Sequence, residues 1–203
     1  MSFTSTAFIF FFVILLAIYW LLPKRSWKNL FLLAASFLFY GWINPWYVLL
    51  LAFSTAADYY LALGMLRNPA RAKSCFTLSL AINLLPLGFF KYFNFLSSSA
   101  AGALNSMGLS LDAPLLSLAL PLGISFFTLK KLSYMIEVRS GAFQPVHSLV
   151  DFALYVAFFP QLVSGPIDRP RQLLPQIQSE RRWQAEYFLN AWPLLVLGFF
   201  KRQ

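Results

Sequence analysis

Apolar residues run along this chain in long blocks separated by short polar gaps. The blocks lack the period-two alternation of a half-buried strand. They predict helices at about 3–22, 29–43, 45–66, 74–96, 115–138, 148–163 and 185–203. The gaps have a pattern of their own. Lys24, Arg25 and Lys28 fill the first, and Arg67, Arg71 and Lys73 fill another. Between them, Asn44-Pro45 is a turn signal with Pro at the first helical position, so 29–43 and 45–66 are expected to form a hairpin with both basic gaps on one side. The stretch "SSSAAGALNSMGLSLDAP" has no Lys or Arg and reads as a loop on the other side. Arg139 then returns the chain to the basic side. Pro86 and Gly88 predict a kink in the fourth helix. The fold class expected is an all-α polytopic membrane protein with about six or seven transmembrane or re-entrant helices, in one domain over 1–203.

The block at 148–163 is the exception. "YVAFFPQLVSGPIDRP" starts as a membrane helix and then meets Pro160, Gln161, Gly165 and Pro166, followed by Asp168, Arg169 and Arg171. A full crossing would place Arg169, Arg171, Arg181 and Arg182 outside, against the positive-inside bias. A segment that enters and turns back at Pro160, Gly165 and Pro166 keeps them inside. Such backbone is tolerated at membrane depth where protein or a water-filled cavity surrounds it. Both readings stay open on the pattern alone.

Composition sharpens the class. Hydrophobic residues make up 59% of the 203 residues and charged residues 11%, where a soluble domain has roughly a quarter charged. Tyr19-Trp20, Trp27, Tyr40, Trp42 and Trp46-Tyr47 sit near block ends, as an interfacial aromatic belt requires. The net charge of +9 lies in the short gaps, which fits membrane orientation and gives no reason to invoke nucleic acid. A single cysteine, Cys75, rules out an internal disulfide. The first block has no basic region before it and no small-residue cleavage site, so it reads as a retained helix with its N-terminus outside the cytoplasm.

Ionisable groups inside apolar blocks are costly and mark interiors or cavities. Asp58 shares a face with Ser54 and Thr55, as a cavity wall or as an inter-helix hydrogen bond. Lys91, among aromatics, either holds an anionic group or snorkels to the interface. Lys130, Ser133, Tyr134 and Glu137 recur at i, i+3, i+4 and i+7, a polar stripe from which Lys131 points away. His147, Asp151 and Tyr155 share another face. His147 begins its segment at the water interface and has no nucleophile motif beside it, so it is not expected to be catalytic. No metal-ligand cluster, P-loop or dinucleotide fingerprint occurs.

Six stretches in order resemble the membrane-bound O-acyltransferase family, in its alginate O-acetyltransferase branch. They are "MSFTSTAFIFFFVILLAIYWLLP", "WKNLFLLAASFLFYGWINPWYVLLL" with "DYYLAL", "LGFFKYFNF", "LPLGISFFTLKKLSYMIEVRSG", "DFALYVAFFPQLVSGPIDR" and "GFFKR". The resemblance implies the N-terminal part of a helical funnel in the bacterial inner membrane, multi-pass in the bilayer. It implies acetyl transfer from acetyl-CoA or an acyl carrier, with no bound cofactor, to an exported polysaccharide such as alginate, alongside periplasmic acetylation proteins. Lys130, Ser133, Tyr134, Glu137, Asp151, Gln161 and Arg169 become candidates for the cavity or substrate path. Lys130-Lys131 is a departure, since relatives usually carry Gln there. The family histidine lies in a second half that has no counterpart in these residues, and His147 does not match it. The chain alone is therefore expected to be incomplete and inactive. D-alanyl transfer to teichoic acid, a non-catalytic docking subunit and a small transporter are the alternatives.

Overall fold

The helices begin and end where the chain supplies local partners for their free backbone groups. The computed structural model describes residues 6–42, 44–107, 121, 123–162, 165, 168–182 and 184–200. Among these there are α-helices, one 3-10 turn and no strand. α1 spans Thr6–Leu21, α2 Arg25–Gly41 and α3 Pro45–Arg67. Asn44 caps α3 by accepting from the Trp46 N–H at 3.1 Å, with Pro45 in the first turn where a missing donor does no harm. A 3-10 turn at Pro69–Arg71 leads into α4, Ala72–Ser106. α5 is Ile124–Arg139, α6 Leu149–Ala157, α7 the single turn Phe159–Leu162, α8 Pro170–Gln178 and α9 Ala185–Phe200.

Several bounds differ from the sequence pattern: α2 begins at Arg25 rather than 29, and α6 ends at Ala157 rather than 163. α4 runs ten residues past the expected 96, through the serine- and alanine-rich stretch. The serines there turn back on the helix, Ser98 Oγ donating to the Phe95 carbonyl at 3.1 Å and Ser106 Oγ to that of Ala103 at 2.6 Å, so their polarity does not end it. The rest of the expected loop, 108–114, and the start of the expected helix, 115–120, lie outside the described residues. α5 begins at Ile124 because Gly123 takes a left-handed φ of +78°, which a side chain would resist. α8 is a helix the block pattern does not contain. It is short and amphipathic, with Pro170 at its start and Leu173, Leu174 and Ile177 buried.

Among the described residues, α3 and the continuous 69–106 helix are the two long and apolar enough to cross a membrane. They pack as a hairpin, with α2 against α3 and α5 against both. α6 lies in the middle, packed on α2, α3, α5 and α8. Asp151 to Ala157 are buried all round, as expected of a helix enclosed by others. Basic residues collect at one end. The Arg139 guanidinium sits 4.5 Å over the Phe76 ring just past the α3–α4 turn, and Arg171 Nε pairs with Glu137 at 3.1 Å. Arg25 donates to the Gln178 carbonyl and Arg181 to Asn29. Trp42 and Trp46 are exposed at the opposite end, beside the α2–α3 turn.

One ion pair binds three of the long helices. Asp58 of α3 and Lys131 of α5 are both fully buried, 3.8 Å apart. Ser79 and Asn83 of α4 donate to the two Asp58 oxygens at 2.5 and 2.7 Å, and Lys131 Nζ donates to Ser54 Oγ at 2.6 Å. The Asp58–Ser54 face is thus an inter-helix contact, and Lys131 points away from the Lys130 stripe, as its helical position requires. Removing one partner leaves the other charge buried alone, which costs about 3–5 kcal/mol. Lys131→Met should therefore lower thermal stability in detergent strongly. The double variant Asp58→Leu with Lys131→Met should recover most of the loss; equal loss in both would mean the pair's packing and not its charge matters.

Candidate functional site

The site forms where α6 stops being a helix. Phe158 adopts φ −53° and ψ 107°, which turns the chain out of α6. The N–H of Phe159 then loses its helical acceptor. Ser36 of α2 supplies one at 3.2 Å, while its own hydroxyl donates to the Leu32 carbonyl at 2.7 Å. The Phe159 ring fills a cluster with Phe8, Phe11 and Phe39, at centroid distances of 6.4, 5.7 and 5.6 Å. α7 is closed by the Gln161 N–H on the Phe158 carbonyl at 3.0 Å, and Gly165 follows by donating to the Gln161 carbonyl at 3.1 Å. A Cβ on Gly165 would fall 2.7 Å from Cβ of Gln161 and closer still to its Cα. Only glycine allows this approach. Pro160 lies exposed in the turn, and Pro166 lies outside the described residues.

The side chain of Gln161 is the middle of a polar chain. Lys130 Nζ donates to Gln161 Oε1 at 2.7 Å, and Gln161 Nε2 donates to Asp168 Oδ2. Tyr155 lies beneath. Its hydroxyl donates to the carbonyls of Lys130 at 3.3 Å and Asp168 at 3.2 Å, and its ring carries the Lys130 ammonium 4.9 Å from the centroid. An amide thus separates a cation on α5 from a carboxylate on the chain leading to α8. The group combines a charged donor, two amide positions and an acceptor, which suits a ligand that presents hydroxyl and carbonyl groups together.

A second cluster closes the loop that contains this break. Asn29 of α2 is fully buried, and its amide donates to Asp151 Oδ1 at 2.7 Å and to the Ile177 carbonyl at 3.0 Å. Arg181 donates to its Oδ1, and Arg25 pairs with Asp151 at 3.7 Å. Ser148 caps α6 on the N–H of Asp151 at 3.2 Å. The start of α6 and the end of α8 therefore meet on one side chain. α6 itself has nine residues, about 13 Å of rise.

The other candidates separate. Of the α5 stripe, Lys130 reaches Gln161, Tyr134 Oη accepts from the Val146 N–H at 2.9 Å, Glu137 pairs with Arg171, and Ser133 is half-buried. Asp151 and Tyr155 share a face of α6, but His147 precedes the Ser148 cap and lies outside the helix, so the expected three-residue face does not form. The His147 side chain is exposed, and its carbonyl accepts from Tyr59 at 2.5 Å. Arg169 is exposed at the start of α8. Lys91 is exposed over the ring of its neighbour Tyr92 at 5.4 Å. Asn29 and Ser36 are not singled out by the sequence pattern, and Asp168 is noted there only as a charge after the break, not as a site residue. A lone Asn or Ser inside an apolar helix was the available signal for the first two.

The chain is 34% identical over 206 residues to the probable alginate O-acetylase AlgI of Pseudomonas aeruginosa, a match that takes in 100% of the chain. It is homologous to the alginate O-acetylases along its whole length. A peptidoglycan O-acetyltransferase of Helicobacter pylori is 30% identical over 86% of the chain, and a teichoic acid D-alanyltransferase of Bacillus subtilis is 36% identical over 39% of it. The chain spans about two fifths of the length of the alginate O-acetylases it matches, 39% of the Pseudomonas aeruginosa protein. No family model and no solved structure matches it.

The tight approach at Gly165 gives a direct check. Gly165→Ala should push Gln161 off Lys130 and lower the melting temperature in detergent, by the equivalent of about 1–3 kcal/mol for an overpacked site. Gly102→Ala, where a Cβ meets nothing within 4 Å, is the control and should leave it unchanged.

Proposed function

We propose that the protein is a membrane-bound O-acyltransferase that passes acetyl groups to an exported polysaccharide such as alginate. The observation that carries this is the match of the whole chain to alginate O-acetylases, with the broken helix and its buried polar chain falling inside it. In this reading the protein is multi-pass in the bacterial inner membrane, with the basic end cytoplasmic. The segment 148–163 is read as dipping in and returning, a reading supported by Asn29 holding Asp151 of α6 and Ile177 of α8 together. Acetyl-CoA or an acyl carrier is the donor, and periplasmic acetylation proteins receive or direct the product.

Acyl transfer needs a base for the attacking hydroxyl and donors for the oxyanion that develops on the carbonyl. The Lys130 ammonium and the Gln161 amide are the donors we assign to the path, with Asp168 holding Gln161 in orientation. Ser133 lies along the same helix, between Lys130 and Glu137. Tyr134, Glu137 and Asp151 hold the surrounding elements by the contacts described above, and Arg169 opens α8. His147 is not assigned the base. A peptidoglycan acceptor is the second reading, since the Helicobacter pylori relative matches most of the chain.

The test is acetyl ester formation by the native-length protein in membranes that lack other acetylases. Alginate, peptidoglycan and teichoic acid are offered as acceptors. Acetyl esters on alginate are expected, and Lys130→Met should cut kcat about a hundredfold, the scale of losing one oxyanion donor. Esters on peptidoglycan alone would select the second reading. D-alanyl esters, or no ester on any acceptor, would overturn the proposal.

A further inference from the structure

At the basic end of α1 and α2, positive charge exceeds negative charge inside the protein surface. Lys28 is only 8% exposed. Its Nζ donates to the Arg181 carbonyl at 3.3 Å and lies over the rings of Trp20 and Tyr19, 4.7 and 5.2 Å from their centroids. The Arg181 guanidinium is 5.7 Å from the Tyr19 ring, and its Nε is buried with no hydrogen-bond partner. The carboxylate nearby, Asp151, is already paired with Arg25 and Asn29. Among the described residues neither Lys28 nor Arg181 forms an ion pair. Cations are also disfavoured at this position, near the N-terminus of α2, by the helix dipole. A buried cation without an anion is costly, so an anion at this corner would be stabilising.

An apolar groove of about 290 Å³ runs between α1 and α2. Phe11, Ile14, Ile18, Phe31, Ala34 and Leu38 line it. Lys28 stands one turn from Phe31 on α2, and Tyr19 one turn from Leu15 on α1, so the cations sit at the groove's end. The Tyr19-Trp20 pair marks the depth where headgroups lie. We propose that this corner is a binding site for an anionic phospholipid. Its phosphate group lies at the rim formed by the half-buried Arg181 guanidinium and Lys28, and one acyl chain lies in the groove. A free phosphate would satisfy the cations and leave the groove empty. A zwitterionic lipid would fill the groove and leave the net charge uncompensated. The bound lipid would also brace α1 against α2 and the end of α8, the elements that frame the broken helix.

Native mass spectrometry on the native-length protein, extracted from its membrane in detergent, tests this with phosphatidylglycerol, phosphatidylethanolamine and inorganic phosphate. Phosphatidylglycerol should be retained in preference to phosphatidylethanolamine. Lys28→Gln should weaken it about fivefold, the scale of one basic residue at an anionic surface. Arg181→Gln, at a half-buried position, gives the same reading if Lys28→Gln does not fold. Ala34→Trp fills the groove without touching the cations and should also lower retention. Equal retention of the two lipids, or no effect of either a charge variant or Ala34→Trp, would overturn the proposal. Displacement of phosphatidylglycerol by inorganic phosphate would mean a site for a soluble anion instead.

Discussion

A chain that stops being helical away from water must find a partner for each backbone group it frees. That constraint organises this protein. The turn at Phe158 releases the N–H of Phe159, and Ser36 takes it. For this to happen α2 has to lie directly against α6, with its serine at the depth of the break. The aromatic cluster of Phe8, Phe11, Phe39 and Phe159 then packs α1 onto the same spot. Gly165 completes the turn by an approach to Gln161 that any side chain would block. The side chain of Gln161 is held between two features that serve the backbone first.

The buried polar groups divide into three sets with different work. The Asn29 set joins the flanks of the broken segment and saturates both hydrogens of one amide. The Gln161 set places a cation and a carboxylate on either side of a neutral amide. The Asp58 set is closed on itself across α3, α4 and α5. Closed networks of this kind fix helix register.

Much of the fold could be read from hydropathy. α3 follows the expected 45–66 almost to the residue, since a Pro-started, Asn-capped apolar run has few other outcomes. The broken segment was also visible, because Pro160 and Gly165 interrupt an apolar run just before a cluster of arginines. What hydropathy could not show was partner choice. The stripe of Lys130, Ser133, Tyr134 and Glu137 looked like one surface, yet helix–helix packing gave its members different neighbours. Lys131, one residue on, met Asp58, which is 73 positions away in sequence. Asn29 and Ser36 were hidden for a related reason: a single small polar residue inside an apolar helix acquires meaning only from what packs against it. α8 was missed because nine residues with three arginine neighbours look like a solvated loop until their apolar side is docked.

The Asp58–Lys131 pair also has an electrical consequence. A lone charge carried across an energised membrane exchanges about 2.3 kcal/mol with each 100 mV of potential. Two opposite charges held 3.8 Å apart present the field with a short dipole and no net charge. The pair therefore adds no net charge on which the membrane potential can act, so the contact that joins these helices is itself insensitive to voltage.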